Sequence, residues 1–299
     1  MSPTLLADLP DSVRAWRARG RMHDLAGLET FVLDEGDRTR EDAVLLLHGF
    51  PSSSYDFRAA LPKLTADGRR VVALDLPGFG LSAKPASYGY SLFEQAELVV
   101  LVLRALGVRV VDLVAHDMGT SVAAELCARR ERRLLDVKLR SLVLSNGSVY
   151  IEMAKLTPSQ KLLLSPAAPF FSRLSSYATF RAQLRRIVSH PVAESELKAM
   201  WAQMLYREGR ARMPQLIGYV RERRRFATRW TGALSRLDVP VLVLWGDEDP
   251  VAVRGIAERL AREIPDAKLR WLDGVGHFPM LEVPEAWAGE VSEFLEASC

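Results

Sequence analysis

The chain has 299 residues, 48% hydrophobic and 26% charged, with 40 basic against 37 acidic side chains for a formal charge of +3. That composition excludes a disordered or low-complexity protein and gives no basic surplus of the kind nucleic-acid binding needs. The length admits one large α/β core with an insertion, and no run of 18 apolar residues offers a membrane span.

The first residues, interrupted by Asp8, Asp11, Arg14, Arg17 and Arg19, lack the apolar core of a secretory leader. Short apolar runs bounded by Gly, Pro or Asp then predict buried strands at 43–47, 71–75, 110–115, 140–145, 240–245 and 268–272. Helical patterns fall between and after them at 91–106, 119–131, 251–263 and 284–297. This alternation predicts an α/β fold with a mostly parallel, doubly wound sheet. Residues 149–230 break the rhythm: Pro158, Pro166, Pro169, Pro191 and Pro214 separate helix-like pieces with no strand among them. They predict a helical cap inserted between core segments 1–148 and 231–299. Within it, Arg221–Arg225 with Arg229 reads as a solvated helix face without chemistry. Cys127 and Cys299 form neither a disulfide framework nor a metal spacing, which with the leaderless start predicts a cytoplasmic protein.

In doubly wound sheets functional groups gather at the carboxyl ends of strands. His48, Asp75, Asp117, Asp249 and His277 all fall at or just beyond such ends. Residues 111–121, VDLVAHDMGTS, run from a β-branched strand through a sharp turn into a helix. They have the layout of the nucleophile elbow G-x-S-x-G, with Ala115 at the first small position and Asp117 in place of serine. An aspartate before a helix is otherwise often only an N-cap. As a nucleophile it changes the chemistry: attack on an ester would give a mixed anhydride, whereas attack on saturated carbon gives an alkyl ester that water can split. Esters and amides are disfavoured, and epoxides and alkyl halides lead.

A solvated aspartate side chain, which titrates at about 3.9, is ionised at neutral pH. It needs positioning more than activation, and a helix N-terminus favours its charge. Residues 47–57, LHGFPSSSYDF, resemble an oxyanion loop, in which the Phe50 NH joins the Met118 NH on the spare oxygen of Asp117; His48 reads as a loop-fixing residue. After the strand at 240–245, Asp249 before Pro250 is the orienting acid, with Asp247 its competitor. His277, between Gly276 and Phe278, completes the order nucleophile, acid, histidine and is the base that takes a proton from water.

With these four motifs in order, the chain is similar to α/β-hydrolases of the epoxide hydrolase and haloalkane dehalogenase group. Within it the stretches FPSSSYDF (50–57), LSNG (144–147), SELKAMW (195–201) and GYVRERRRF (218–226) resemble mesoderm-specific transcript-like proteins. The resemblance implies a hydrolase that works through an aspartyl ester without cofactor or metal. Its partners would be a small apolar electrophile and water; the balanced charge gives no nucleic-acid partner, no membrane span is read, and oligomeric state stays open. It also implies cap tyrosines that donate to an epoxide oxygen. Tyr219 stands where one is expected, and Tyr177 is taken as the second over Tyr150 and Tyr206. Trp201, Leu205 and Phe226, with Met204 and Leu216, are expected to line an apolar pocket. Two departures matter. Met118 stands where haloalkane dehalogenases usually place a halide-gripping Trp, and Gly119, Thr120 and Ser121 supply none of the arginines of fluoroacetate dehalogenases. The expectation is conversion of an epoxide to a vicinal diol, with a haloalkane dehalogenase or a non-catalytic hydrolase-fold binding protein as alternatives.

Overall fold

The computed structural model describes residues 6–66 and 68–298, so Cys299 lies outside it. Helix α1 (Asp11–Arg19) leads into a hairpin of β1 (Arg21–Leu25) and β2 (Leu28–Glu35). Then come β3 (Asp42–Leu47), α2 (Leu61–Thr65), β4 (Val71–Leu74), α3 (Leu92–Ala105), β5 (Val110–His116), α4 (Met118–Glu131) and β6 (Lys138–Ser145). Seven helices follow: α5 (Pro158–Leu163), α6 (Ala168–Leu174), α7 (Tyr177–Leu184), α8 (Glu194–Leu205), α9 (Gly209–Leu216), α10 (Tyr219–Arg225) and α11 (Ala227–Ser235). The chain closes with β7 (Val241–Gly246), α12 (Arg254–Glu263), β8 (Lys268–Leu272), α13 (Pro279–Glu282) and α14 (Pro284–Ala297).

The strands form one sheet in the order β1-β2-β4-β3-β5-β6-β7-β8. The six runs read as strands from the sequence are its parallel part. They are apolar throughout because both faces are covered: Leu45 and Leu47 of β3 pack on one side with α3 and α4, while Val44 and Leu46 pack on the other with α1, α2 and α14. The antiparallel hairpin carries no such signal. Its strands RMHDL and LETFVLDE mix charges with apolar residues, as an edge permits, and they turn at Ala26-Gly27, both at positive φ, without the Asn-Gly or Asp-Gly signature.

Beyond β4 and β5 the chain winds in opposite directions from β3, so a crevice opens above the carboxyl ends of β3 and β5. Register brings Leu47 beside Ala115, His116 beside Ser145 and Ser145 beside Leu244. The residues that follow each strand therefore stand side by side: Gly49 near Asp117, Asn146 near Gly246.

The described residues between β6 and β7 are helical and contain no strand. A boundary at 230 would cut α11, which packs on the core. Trp230 is buried, and its Nε1 donates to Glu125 of α4 at 3.0 Å, while Arg229 donates to the same carboxylate at 2.7 and 2.9 Å. Arg229 is therefore no member of a solvated face. Among the described residues no helix is long and apolar enough to cross a membrane.

Helix α4 approaches β3 so closely that a Cβ on Gly119 would lie 2.5 Å from the Leu47 carbonyl oxygen and 2.8 Å from that of His48. Gly119→Ala is expected to lower unfolding stability by about 1–3 kcal/mol through overpacking, read as a lower urea midpoint with an unchanged slope.

Candidate active site

Asp117 sits between β5 and α4 at φ 44°, ψ −110°, a conformation costly for any residue with a Cβ. Three donors hold its carbonyl oxygen: Thr120 Oγ1 at 2.6 Å, Arg223 Nη2 at 2.9 Å and Thr120 N at 3.1 Å. Its own NH donates to the Ser145 carbonyl at 3.2 Å. The carboxylate is buried, and its Oδ2 accepts from the Phe50 NH at 2.9 Å. A Cβ on Gly49 would meet Asp117 Cβ at 2.7 Å and Oδ2 at 2.9 Å, so glycine is required for Phe50 to reach the acid. The Met118 NH, at the first position of α4, belongs to the amides that a helix leaves without an intrahelical partner.

The loop carrying Phe50 is fixed from below. The Leu76 NH donates to His48 Nε2 at 3.0 Å, which leaves His48 Nδ1 to donate to the Gly49 carbonyl at 2.8 Å, and burial lowers the His48 pKa. Asp75 accepts from Ser54 N, Ser54 Oγ and Leu81 N, so it serves the loop rather than a reaction.

His277 Nδ1 lies 2.7 Å from Asp249 Oδ2. The carboxylate also accepts from Asn146 Nδ2 at 2.8 Å and, through Oδ1, from the NH groups of Val251 and Ala252 at 2.7 and 2.9 Å. With Nδ1–H on Asp249, the Nε2 lone pair of a neutral His277 is left for a proton. Asp247, the competing acid, instead accepts from Gly274 N and Arg254. Asn146 was read only as part of the stretch LSNG at the end of a strand and given no role; at φ 45° it bridges Asp249, the Gly246 NH and the Gly276 carbonyl.

A second carboxylate ties the His277 loop to the insertion. Glu282, with no exposed side-chain surface, accepts from the NH groups of Ser189, His190, Gly276 and Phe278, and the His277 NH donates to the Ile187 carbonyl at 2.8 Å.

The charges are interdependent. Burial alone would lower the His277 pKa, but the charge and hydrogen bond of Asp249, then the charge of Asp117, push it up to about 9. Burial alone would raise Asp117, but Arg223 and then His277 hold it below the usual carboxylate range. His116 is pushed down to about 4 by burial and by His277 and so stays neutral, with Nε2 donating to the His277 carbonyl at 2.7 Å.

Phe50 and His277 line a cavity of about 90 Å³ beneath the insertion, with Trp201, Met204, Met213, Phe171 and Leu184 around it and Gln160, Gln183 and Thr179 among its polar members. Of the expected pocket residues, Trp201 and Met204 line it and Leu216 does not. Leu205 does not either, and Phe226 turns away to pack on Phe93 and Trp230 at 4.8 and 5.8 Å. Tyr219 is buried against Phe50, with ring centres 5.6 Å apart, and is not among the residues that line the cavity; burial and the charge of Asp117 raise its pKa. Tyr177 stands apart from the cavity wall, its hydroxyl spent on Glu194 at 2.6 Å, and Tyr150 donates to Glu263 at 2.7 Å. The arginine run is corrected too. Arg221, Arg224 and Arg225 are exposed, but Arg223, one helical turn after Tyr219, is buried beside Asp117. A helix packed on the sheet must turn one side inward, and that spacing was the available signal.

The family model for the alpha/beta hydrolase fold matches residues 42–284. A putative hydrolase LipZ of Mycobacterium tuberculosis is 44% identical over 279 residues, covering 93% of this chain and 96% of that protein. The mesoderm-specific transcript homolog protein of Bos taurus is 35% identical over 301 residues, 96% of this chain and 90% of its own. A haloalkane dehalogenase of Psychrobacter cryohalolentis is 32% identical over 243 residues, 79% and 76% of the two chains. With an eight-stranded, mostly parallel sheet wrapped by helices and these relatives along most of its length, the chain belongs to the alpha/beta hydrolase fold family.

Proposed function

We propose that this hydrolase acts at saturated carbon through an ester on Asp117, opening epoxides to vicinal diols, with the insertion serving as a cap. One observation carries the reading: the residue at the elbow, with Oδ2 on the Phe50 NH, is a carboxylate rather than a hydroxyl. Asp117 does not itself line the cavity, but Phe50, whose NH holds its Oδ2, does, and in this reading an electrophile passing between Phe50 and His277 meets Oδ1. A bond forms from Oδ1 to the epoxide carbon as the ring C–O bond breaks, and the alkoxide receives a hydrogen bond from Tyr219 and its proton from protonated His277 or, where that residue is replaced, from solvent water. His277 then takes a proton from water as that water adds to the ester carbonyl, with the oxyanion held by the Phe50 and Met118 NH groups. Collapse breaks the carbonyl C–O bond, returns the proton to the departing diol and restores Asp117. Alkylation removes the negative charge that helps raise His277, so the imidazole becomes a competent base when the ester exists. His277 is the one titratable group among the cavity-lining residues, which suits an uncharged apolar substrate. A second reading, release of halide from alkyl halides by the same ester, is supported by the haloalkane dehalogenase relative.

His277→Gln incubated with styrene oxide is expected to gain the mass of one adduct, retained on Asp117 in peptide mapping. An adduct from 1-bromobutane alone would favour the halide reading, and none from either compound would leave a non-catalytic binding protein.

Because Asp117 contributes to the raised His277 pKa, Asp117→Asn is expected to move the His277 titration midpoint below about 9 in 15N NMR. His277 is raised above its ordinary 6.5, so the stability it contributes is full below that pH and is lost as pH rises through about 9. Melting temperatures of the parent protein should fall across that window more than those of His277→Gln.

A further inference from the structure

Arg223 is 1% exposed. A guanidinium removed from water is tolerated only where partners offset its desolvation. Its Nε donates to Ser121 Oγ at 2.7 Å, Nη2 donates to the Asp117 carbonyl at 2.9 Å, and its Cζ lies 4.6 Å from the centre of the Tyr219 ring. The acid it pairs with is Asp117, Nη2 to Oδ1 at 3.7 Å. Two nearby acids are engaged elsewhere: Glu125 with Arg129 and Arg229, Glu222 with the Leu92 NH. The 3.7 Å separation is long for a hydrogen bond, so the cation exerts its field on Oδ1 without tying up the lone pairs needed for attack. The directional bonds go to the carbonyl and to Ser121, the two points that fix the turn.

We propose that Arg223 is a positioning residue for Asp117: anchored on Ser121 and on the Asp117 carbonyl, it aims the carboxylate and holds it anionic. Its role in turnover rests on the reading of Asp117 as nucleophile; its hold on the carboxylate does not. Since Arg223 arrives on α10, the charge state of the elbow depends on that helix being seated. Facing Asp117 are Tyr219 on the same helix, His277 on the loop after β8, His116 at the end of β5 and His48 at the end of β3. Of these, His48 and His116 have lowered pKa values, which leaves Arg223 and His277 as the cations.

The test is a titration of protein labelled with 13Cγ-aspartate, the Asp117 resonance being assigned by its loss in Asp117→Asn. Arg223→Gln is expected to raise the Asp117 midpoint by about one unit or more, and Arg223→Lys by less. An unmoved midpoint in Arg223→Gln overturns the proposal. Should that variant fail to fold by circular dichroism, Ser121→Ala, which removes one anchor, is expected to raise the midpoint by a smaller step, and no movement there overturns it equally. In the His277→Gln background, the acid limb of Asp117 alkylation by styrene oxide should move with the NMR midpoint. Absence of alkylation with Arg223 intact overturns the ester mechanism instead, and the titration then decides on Arg223 alone.

Discussion

The approach of Gly49 to Asp117 is the constraint on which the rest depends. Two parallel strands in register deliver a glycine and an aspartate to adjacent positions, and the missing Cβ lets the Phe50 amide reach a carboxylate that would otherwise be buried without it. An isolated buried carboxylate is expensive. The turn itself is strained, and it persists because the Asp117 carbonyl is held by Thr120 and Arg223 while α4 is pressed onto β3 at Gly119. Pulling any one of these away loosens the same few atoms.

Electrostatics complete what sterics begin. Arg223 and His277 hold the buried Asp117 below the usual carboxylate range, and Asp249 and Asp117 in turn raise His277. Asp249 is fully committed, since its oxygens are shared among two backbone amides, an asparagine and the imidazole. Asp117 differs in having one oxygen in a hydrogen bond and the other only in the field of Arg223.

The parallel strands were legible because burial on both faces forces continuous apolar runs, and Asp117, Asp249 and His277 were legible because each follows such a run. The structure brings these three together around one crevice end. The β1–β2 hairpin was hidden because an edge pair tolerates charges and needs no glycine-rich turn motif. The insertion was harder still. Helices that pack on a sheet and on one another are apolar on several sides, so Phe226 looks like a pocket residue while it packs on Phe93, Leu205 looks like one while lying off the cavity wall, and Tyr177 looks free while bound to Glu194. Arg223 was concealed by its neighbours. A charged run suggests water, and the one-turn spacing from Tyr219 was the sole sequence sign that one member faces inward.

Glu282 has a mechanical meaning. One carboxylate gathers amides from both the segment before α8 and the loop that carries His277, and the His277 NH itself hangs on Ile187. The two stretches behave as a single splice. Any displacement of residues 187–190 is thereby transmitted to the His277 backbone, and through it to the contact of the imidazole with Asp249.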